Sequence, residues 1–360
     1  MSGLRYIFVH GLAGWGSYDK KYERLPYWGM RCGDLIGYLW KQGFQAYAAS
    51  VAPAGSAWDR ACELYAQLAG LRTDYGAAHS AENCHERFGR DFSSCPLIPD
   101  WRKDTRLVLL GHSFGGTTSR LLSELLAHGD KEEQNSTPPD QLSGLFQGGM
   151  GDRVCAIAAL ASPINGTTAY DLSEDGDFDP RQVKVPLWSR GFAKIMAKGA
   201  KPKKDSRKDT DYADHDMHID NAMALNRRIS TFPSVYYFSV PCCSTRKTEH
   251  GYSVPDHRKT DPLFVTRSHL MGSYTGKTKA GFVIDEKWQE NDGLVNTFSA
   301  RAPLDAPQTE LDPDNIRPGI WNVFPTYSGD HVSLQGGMMR RNDTREFYLS
   351  LLTMIEKCLS

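Results

Sequence analysis

Apolar residues along this chain fall into short unbroken runs, and longer stretches with helical spacing separate them. The runs at residues 6–9, 44–48, 107–110, 154–158 and 235–240 suit strands that are buried on both faces of a parallel sheet. Helical patterns cover residues 59–68 and 120–127. Residues 346–359 place their apolar side chains on one face of a last helix. The alternation predicts an α/β fold, with a mainly parallel central sheet and helices on both faces.

Two regions do not fit this plain alternation. Residues 53–104 are long for a single connection and contain a His-Cys-His cluster. Residues 165–225 are rich in Asp and Lys and hold one short apolar island. We therefore expect a single domain over residues 1–360 that carries two insertions on its sheet.

Composition narrows the class of protein. The chain is 40% hydrophobic and 24% charged, as is ordinary for a globular protein. Its formal net charge of −1 argues against nucleic-acid binding, because no basic field is available for phosphate contacts. The sequence contains no run of 18 apolar residues, so it predicts no transmembrane segment. Residues 1–5 hold no apolar signal core, which leaves open a cytosolic protein and one whose leader has been removed.

The strongest chemical motif is Gly-His-Ser-Phe-Gly at residues 111–115. A predicted strand ends directly before it and a predicted helix begins directly after it. Small neighbours allow the sharp strand-to-helix turn that exposes a serine hydroxyl at a helix N-terminus, a nucleophile elbow typical of the α/β-hydrolase fold. This context predicts Ser113 as a nucleophile that attacks carbonyl carbon. The alternative is a glycine-rich turn with an incidental serine.

An acyl-transfer site also needs two N–H donors for the oxyanion. The first is expected from Phe114, the residue after the nucleophile. The glycine-rich loop at residues 10–16 follows the first strand, and its Leu12 is the natural second donor. In the alternative interpretation these glycines serve only the geometry of the turn.

A serine nucleophile needs a base, and the base needs an orienting carboxylate. In this fold they follow in the order Ser, then Asp or Glu, then His. His331 is the last histidine of the chain and lies in a turn-like segment before the final helix. Asp292 lies in an Asn-Asp-Gly loop that leaves its carboxylate free to reach an imidazole. Asp330 and Asp285 are the competing carboxylates.

Several longer stretches resemble the bacterial family I.5 lipases, the thermostable bacillus-type enzymes, and their staphylococcal relatives. They are residues 10–16, 58–68, 74–79, 87–90, 290–297 and 330–331. The resemblance covers most of the chain apart from residues 165–211 and the segment after His331. It implies the same roles for Ser113, His331 and Asp292, hydrolysis of acylglycerol or other carboxylic esters, and an extracellular location.

A zinc site is the second feature that the resemblance implies. Taken alone, His79 and His85 with the nearby Asp59 form a plausible part of a tetrahedral zinc set. The family's zinc is held by an Asp, two His and a distant second Asp, which fall on Asp59, His79, His85 and Asp216. Four protein ligands leave no open position for water, so the metal would be structural. Alternatives near this set are His215, His218 and Cys84.

The family's calcium site is expected to be absent. The family binds calcium near its catalytic histidine with a Glu two residues further on and an Asp-Pro soon after. Here Ser333 and residues 336–340 occupy those places, and neither offers a carboxylate for a hard cation.

The apolar island of the second insertion predicts a shortened lid. Trp188, Phe192, Ile195 and Met196 fall on one helical face, which could cover an acyl pocket or lie on a lipid–water interface. A helix packed permanently on the core is the alternative. The sequence therefore predicts a lipase or carboxylesterase. It leaves open a short-chain esterase without interfacial activation and a zinc-dependent metallohydrolase.

Overall fold

The computed structural model describes residues 3–172 and 207–360. A seven-stranded sheet lies at its centre, and every pairing in this sheet is parallel. Its strands are β1 Leu4–Val9, β2 Ala46–Ala49, β3 Arg106–His112, β4 Val154–Leu160, β5 Tyr236–Val240, β6 Gln308–Glu310 and β7 Trp321–Val323. Their order across the sheet is β6-β7-β5-β4-β3-β1-β2. The predicted parallel α/β sheet is confirmed. The three-residue strands β6 and β7 carry too few residues to have been predicted.

Helices cover both faces of this sheet, as the unbroken apolar strands require. The helices are α1 Leu35–Lys41, α2 Ala57–Ala69, α3 Ala77–Asn83, α4 Phe114–His128, α5 Lys131–Ser136, α6 Gly144–Gln147, α7 Thr168–Asp171, α8 Ala213–Met217, α9 Ile219–Asn226, α10 Val265–Ser273 and α11 Arg345–Leu359. Single 3-10 turns lie at Met30–Cys32, Gly151–Arg153, Glu286–Trp288 and Ser333–Gln335.

Successive side chains of each strand enter two different cores. Ile7 and Val9 pack with apolar residues of α2 and α4 on one face of the sheet. Phe8, between them, packs on the other face with residues of α1 and α11. This alternation follows from the period of two in a strand, and it fixes both helical layers to β1.

Short paired strands lie outside the central sheet. Arg72–Asp74 pairs with Phe88–Asp91 in the first insertion, on either side of α3. The other pairs are Thr245–Lys247 with Ser253–Pro255, Gly276–Lys277 with Val283–Ile284, and Cys242–Cys243 with Tyr327–Ser328.

The lid candidates Trp188, Phe192, Ile195 and Met196 lie outside the described residues. Across residues 3–172 and 207–360, no helix combines the length and the apolar character that crossing a membrane needs.

The packing of Phe8 gives a prediction about stability. Its buried ring packs edge-on against Trp28, with the ring centres 5.0 Å apart, and its centre lies 5.6 Å from that of the Tyr348 ring of α11. Phe8→Ala should lower the free energy of unfolding in urea by about 3–5 kcal/mol, because it leaves a cavity between β1 and α11. Val283→Ala, at a side chain that is 55% exposed, should stay within about 0.5 kcal/mol of the parent. Equal small losses in both variants would contradict this account of the core.

Candidate active site and candidate metal centre

The turn between β3 and α4 has the geometry that the motif predicts. Strand β3 ends at His112, Ser113 has a φ of 55°, and α4 begins at Phe114. A Cβ on Gly111 would lie 2.3 Å from backbone atoms of Gly115, and one on Gly115 would lie 2.1 Å from the Val9 carbonyl oxygen. Any side chain at either position would therefore force the turn apart, so both glycines are required.

Ser113, His331 and Asp292 form one hydrogen-bonded chain. The Ser113 Oγ lies 2.9 Å from His331 Nε2, and His331 Nδ1 lies 2.9 Å from Asp292 Oδ2. Asp292 Oδ1 accepts from the backbone N–H groups of Leu294 and Val295, at 3.0 and 2.8 Å. An ionised, acceptor-only carboxylate fixes the tautomer of His331, with its proton on Nδ1. Nε2 is then left to accept the proton of the serine hydroxyl.

The competing carboxylates have other partners. Asp330 Oδ2 accepts from the Asp261 N–H at 2.7 Å, and its Oδ1 accepts from the Ser333 hydroxyl at 2.7 Å. Burial raises the pKa of the Asp330 carboxyl. Asp285 accepts from the Lys287 N–H at 3.1 Å and caps a 3-10 turn. Of the alternatives considered, Asp292 is therefore the carboxylate that reaches the His331 ring.

The glycine-rich loop after β1 lies directly against the serine. A Cβ on Gly11 would come within 2.7 Å of the Ser113 Cβ and 3.2 Å of its Oγ. Leu12 follows Gly11, and Phe114 follows Ser113, so the two expected donor residues adjoin the nucleophile position from two segments. The loop is fixed further on, where the Ala13 N–H donates to the Pro53 carbonyl at 2.8 Å.

A second polar chain connects this loop to the backbone of His331. The Gly11 N–H donates to the Tyr27 hydroxyl at 3.0 Å, and that hydroxyl lies 2.7 Å from His112 Nδ1. His112 Nε2 lies 2.7 Å from the His331 carbonyl oxygen, so Nε2 must carry the proton and Nδ1 accepts from Tyr27. Burial, together with the neighbouring His331, lowers the pKa of His112 to about 3. No local sequence pattern predicts this series of hydrogen bonds, because its members come from distant segments.

Asp59, His79, His85 and Asp211 form a compact cluster that could hold a metal ion. One ligand atom from each lies within 4.8 Å of the others. The Nε2 atoms of both histidines and Oδ1 of Asp59 are buried and, among the described residues, have no hydrogen-bond partner with ordinary geometry. His79 Nε2 lies 3.3 Å from both Asp59 and Asp211. Buried donors and acceptors that converge without satisfying one another fit a cation at their centre.

The expectation of Asp216 as fourth ligand is wrong. Asp216 Oδ2 accepts from the Ala57 N–H at 2.7 Å, at the first residue of α2, and Asp216 Oδ1 lies 3.6 Å from His215. Asp211 comes five residues earlier, and its Oδ2 lies 3.3 Å from His85 Nε2. Residues 209–216 hold four aspartates close together, so the local sequence pattern could not separate them.

Further residues that the sequence did not reveal support this cluster. Glu133 of α5 is buried and accepts from the N–H groups of Ala78 and His79, at 3.1 and 2.7 Å, which fixes the first turn of α3. The Arg207 guanidinium donates to Asp59 Oδ2 and lies 3.6 Å from Asp211. Without a metal, burial lowers the pKa of His79, but the neighbouring Asp211 and Asp59 carboxylates outweigh this effect and raise the pKa to about 9. A bound cation would replace that proton.

The depressed pKa of His112 predicts a pH dependence of stability. Its folded pKa is about 3, against 6.5 for an ordinary histidine, so below pH 6.5 the unfolded chain binds a proton that the folded protein does not. The stability that neutral His112 contributes above pH 6.5 should therefore be lost progressively as the pH falls towards 3. In chelator-treated protein, His112→Gln should reduce the slope of unfolding free energy by about 1.4 kcal/mol per pH unit over the acidic range. Parallel curves for variant and parent would contradict a buried, neutral His112.

Comparison with known proteins places the chain in a family. A family model described as "Lipase-like, C-terminal domain" matches residues 4–185 and 197–356. A lipase of Staphylococcus epidermidis is 33% identical over 355 residues, which cover 92% of this chain and 49% of the relative. The chain thus spans about half the length of the curated relatives it matches.

Solved structures agree with the predicted α/β-hydrolase fold. EstA from Clostridium botulinum superposes with a TM-score of 0.84 at 28% identity, over 98% of this chain and 87% of that chain. The Staphylococcus hyicus lipase gives a TM-score of 0.80 at 29% identity, over 99% and 97%. The resemblance to staphylococcal lipases that the motifs indicated is confirmed. The chain belongs to the family of lipase-like C-terminal domains.

Proposed function

We propose that this protein hydrolyses carboxylic esters as a lipase or carboxylesterase, with Ser113 as nucleophile, His331 as base and Asp292 as the orienting carboxylate. The observation that carries the proposal is the hydrogen-bonded chain from the Ser113 Oγ through the His331 ring to Asp292, built on a strand-to-helix turn. Membership of the lipase-like family supports the same class of reaction.

The geometry suits acyl transfer in two steps. As the Ser113 Oγ attacks the carbonyl carbon, His331 Nε2 takes the hydroxyl proton, and Asp292 stabilises the imidazolium that forms. Backbone N–H groups of Leu12 and Phe114 would bind the oxyanion of the tetrahedral intermediate. His331 then gives its proton to the leaving alcohol, and an acyl-enzyme remains. Water, deprotonated by His331, attacks the acyl-enzyme and releases the carboxylic acid and the free Ser113 hydroxyl.

Membership of the lipase-like family supports a proposal about the class of substrate. We propose acylglycerols or other carboxylic esters as substrates, transient contact with a lipid–water interface, and an extracellular location. Trp188, Phe192, Ile195 and Met196 remain the proposed lid or acyl-pocket residues, because an apolar helical face in a polar insertion needs something to cover.

For the metal we propose zinc, bound by Asp59, His79, His85 and Asp211. Two imidazoles and two carboxylates are a usual zinc ligand set. All four positions of a tetrahedral ion would be filled by protein, so zinc would brace the first insertion against the segment that holds Asp211 and would take no part in the hydrolysis.

Replacing the nucleophile or the base tests the reaction. Ser113→Ala and His331→Ala should each lower kcat for p-nitrophenyl esters by a factor of about 10⁴ or more, and the double variant should be little worse. Ser94→Ala, at an exposed loop serine, is the matched control and should keep full activity. A folded Ser113→Ala protein with a tenth of the parental activity would refute the assignment. A series of acyl-chain lengths beside emulsified triglyceride separates lipase from esterase.

Paired aspartate variants test the metal site. Asp211→Asn should weaken zinc binding, measured calorimetrically on chelator-treated protein, by at least about 100-fold because it removes a direct ligand. Asp216→Asn should bind zinc like the parent, since Asp216 caps α2. Chelation should lower Tm and leave ester hydrolysis at moderate temperature unchanged. Activity that disappears with zinc and survives in Ser113→Ala would instead favour a metallohydrolase.

A further inference from the structure

Arg60 is a fully buried arginine in the first half of α2. Its guanidinium donates three hydrogen bonds: to the His10 carbonyl at 2.5 Å, to the Ala52 carbonyl at 2.8 Å and to Thr118 Oγ1 at 2.9 Å. All three acceptors are neutral. An arginine guanidinium stays protonated at neutral pH, so this buried group carries a charge.

The Glu63 carboxylate on the same helix does not pair directly with this guanidinium, because other groups occupy its oxygens. Glu63, one turn along α2, accepts from the Ala52 N–H at 2.5 Å and from the Tyr75 hydroxyl at 2.8 Å. In the described part of the chain, no ion pair includes Arg60. A buried cation with neutral partners is costly, and apolar residues would fill the same space at least as well for stability alone. The position therefore points to a role in the site.

The acceptors of Arg60 belong to the segments that form the site. His10 begins the glycine-rich loop beside Ser113, and Thr118 lies on α4, the helix that follows Ser113. Thr118 Oγ1 accepts from Arg60 and also donates to the Phe114 carbonyl at 3.1 Å, so it links these two residues. The Arg60 guanidinium also lies 5.3 Å from the centre of the Phe114 ring. One side chain thus connects both segments that would supply oxyanion donors.

The contact to His10 fixes a particular peptide plane. The His10 carbonyl and the Gly11 N–H belong to the same peptide: Arg60 binds its oxygen, and the Tyr27 hydroxyl accepts from its nitrogen at 3.0 Å. Gly11 has no side chain that could hold the loop, and it lies against Ser113. The next peptide carries the Leu12 N–H, and its oxygen is the Gly11 carbonyl. That oxygen lies 2.8 Å from His10 Nδ1 and accepts from the Gly14 N–H at 3.2 Å, so the residue whose carbonyl Arg60 binds also contacts the peptide of Leu12.

We propose that Arg60 is the positioning residue of the oxyanion hole: it holds the His10–Gly11 peptide and, through Thr118, the start of α4, so that the Leu12 and Phe114 N–H groups converge beside Ser113. This inference rests on the proposed ester hydrolysis and deepens it. Arg60 does not touch the substrate. It acts on the transition state through the two backbone donors, so its loss should affect kcat rather than KM.

The experiment compares two buried arginines. Arg120 of α4 is also buried, and it donates to Asn226 at 2.7 Å, away from the glycine-rich loop. Arg60→Met should lower kcat for a soluble p-nitrophenyl ester by about 10²–10³-fold, as loss of an oxyanion donor does, with KM within about twofold. Arg120→Met should keep kcat within about threefold while losing comparable stability.

A transition-state analogue gives the readout that a purely structural role would not move. Affinity for an alkyl boronic acid should fall in Arg60→Met by the same factor as kcat/KM and remain parental in Arg120→Met. Arg60→Lys keeps the charge but places its donors on one nitrogen instead of a planar fork, so it should recover only part of both losses. Thr118→Val leaves the guanidinium in place and removes the hydroxyl that joins it to the Phe114 carbonyl. It should lower kcat about tenfold, so the inference stays testable if Arg60→Met does not fold.

Two outcomes would overturn the inference. One is an equal kcat in Arg60→Met and Arg120→Met. The other is a rise in the KM of Arg60→Met with unchanged kcat and parental boronate affinity. Its failure differs from failure of the proposed function. An active Ser113→Ala enzyme would remove the nucleophile assignment, whereas an inactive Ser113→Ala beside fully active Arg60 and Thr118 variants would remove only the role of Arg60.

Discussion

Ser113 has a positive φ of 55°, and the segments around it confine the turn in this conformation. Such a φ costs about 1–3 kcal/mol for a residue with a side chain. The Ser113 N–H donates to the Leu160 carbonyl of β4 at 2.8 Å, and Gly115 lies against the end of β1. The central strands of the sheet therefore hold the turn from both sides. The direction of the hydroxyl, and with it the distance to His331, follows from that confinement.

Around this turn the protein uses buried polar groups whose protonation states are fixed. Burial holds the pKa of both His10 and His112 at about 3, so each stays neutral and offers one donor and one acceptor. His10 Nε2 accepts from the Val51 N–H at 3.2 Å, and its Nδ1 lies 2.8 Å from the Gly11 carbonyl. His331, the imidazole proposed to exchange protons, thus lies near imidazoles that stay neutral. The candidate metal cluster differs, since several of its buried nitrogen and oxygen atoms have no hydrogen-bond partner of ordinary geometry within residues 3–172 and 207–360.

Much of this arrangement was predictable where the signal is local or ordered along the chain. Unbroken apolar runs predicted five central strands, and the strand–motif–helix sequence located Ser113. The order of Asp292 and His331 along the chain selected the two side chains that the structure brings to the serine.

What could not be predicted depends on contacts between distant segments. Asp211 and Asp216 stand in the same aspartate-rich stretch, and only the folded path shows which one faces His85. Tyr27 and Arg60 have no periodic signal, because their partners lie in other elements. The lid remains a prediction.

Asp59 and Arg60 are consecutive residues of α2, and their side chains leave the helix about 100° apart. One belongs to the metal cluster and the other holds the loop beside Ser113. Helix α2 cannot turn or slide without disturbing both contacts together. A shift of α2 at the cluster would therefore also move the Arg60 guanidinium that binds the loop beside Ser113.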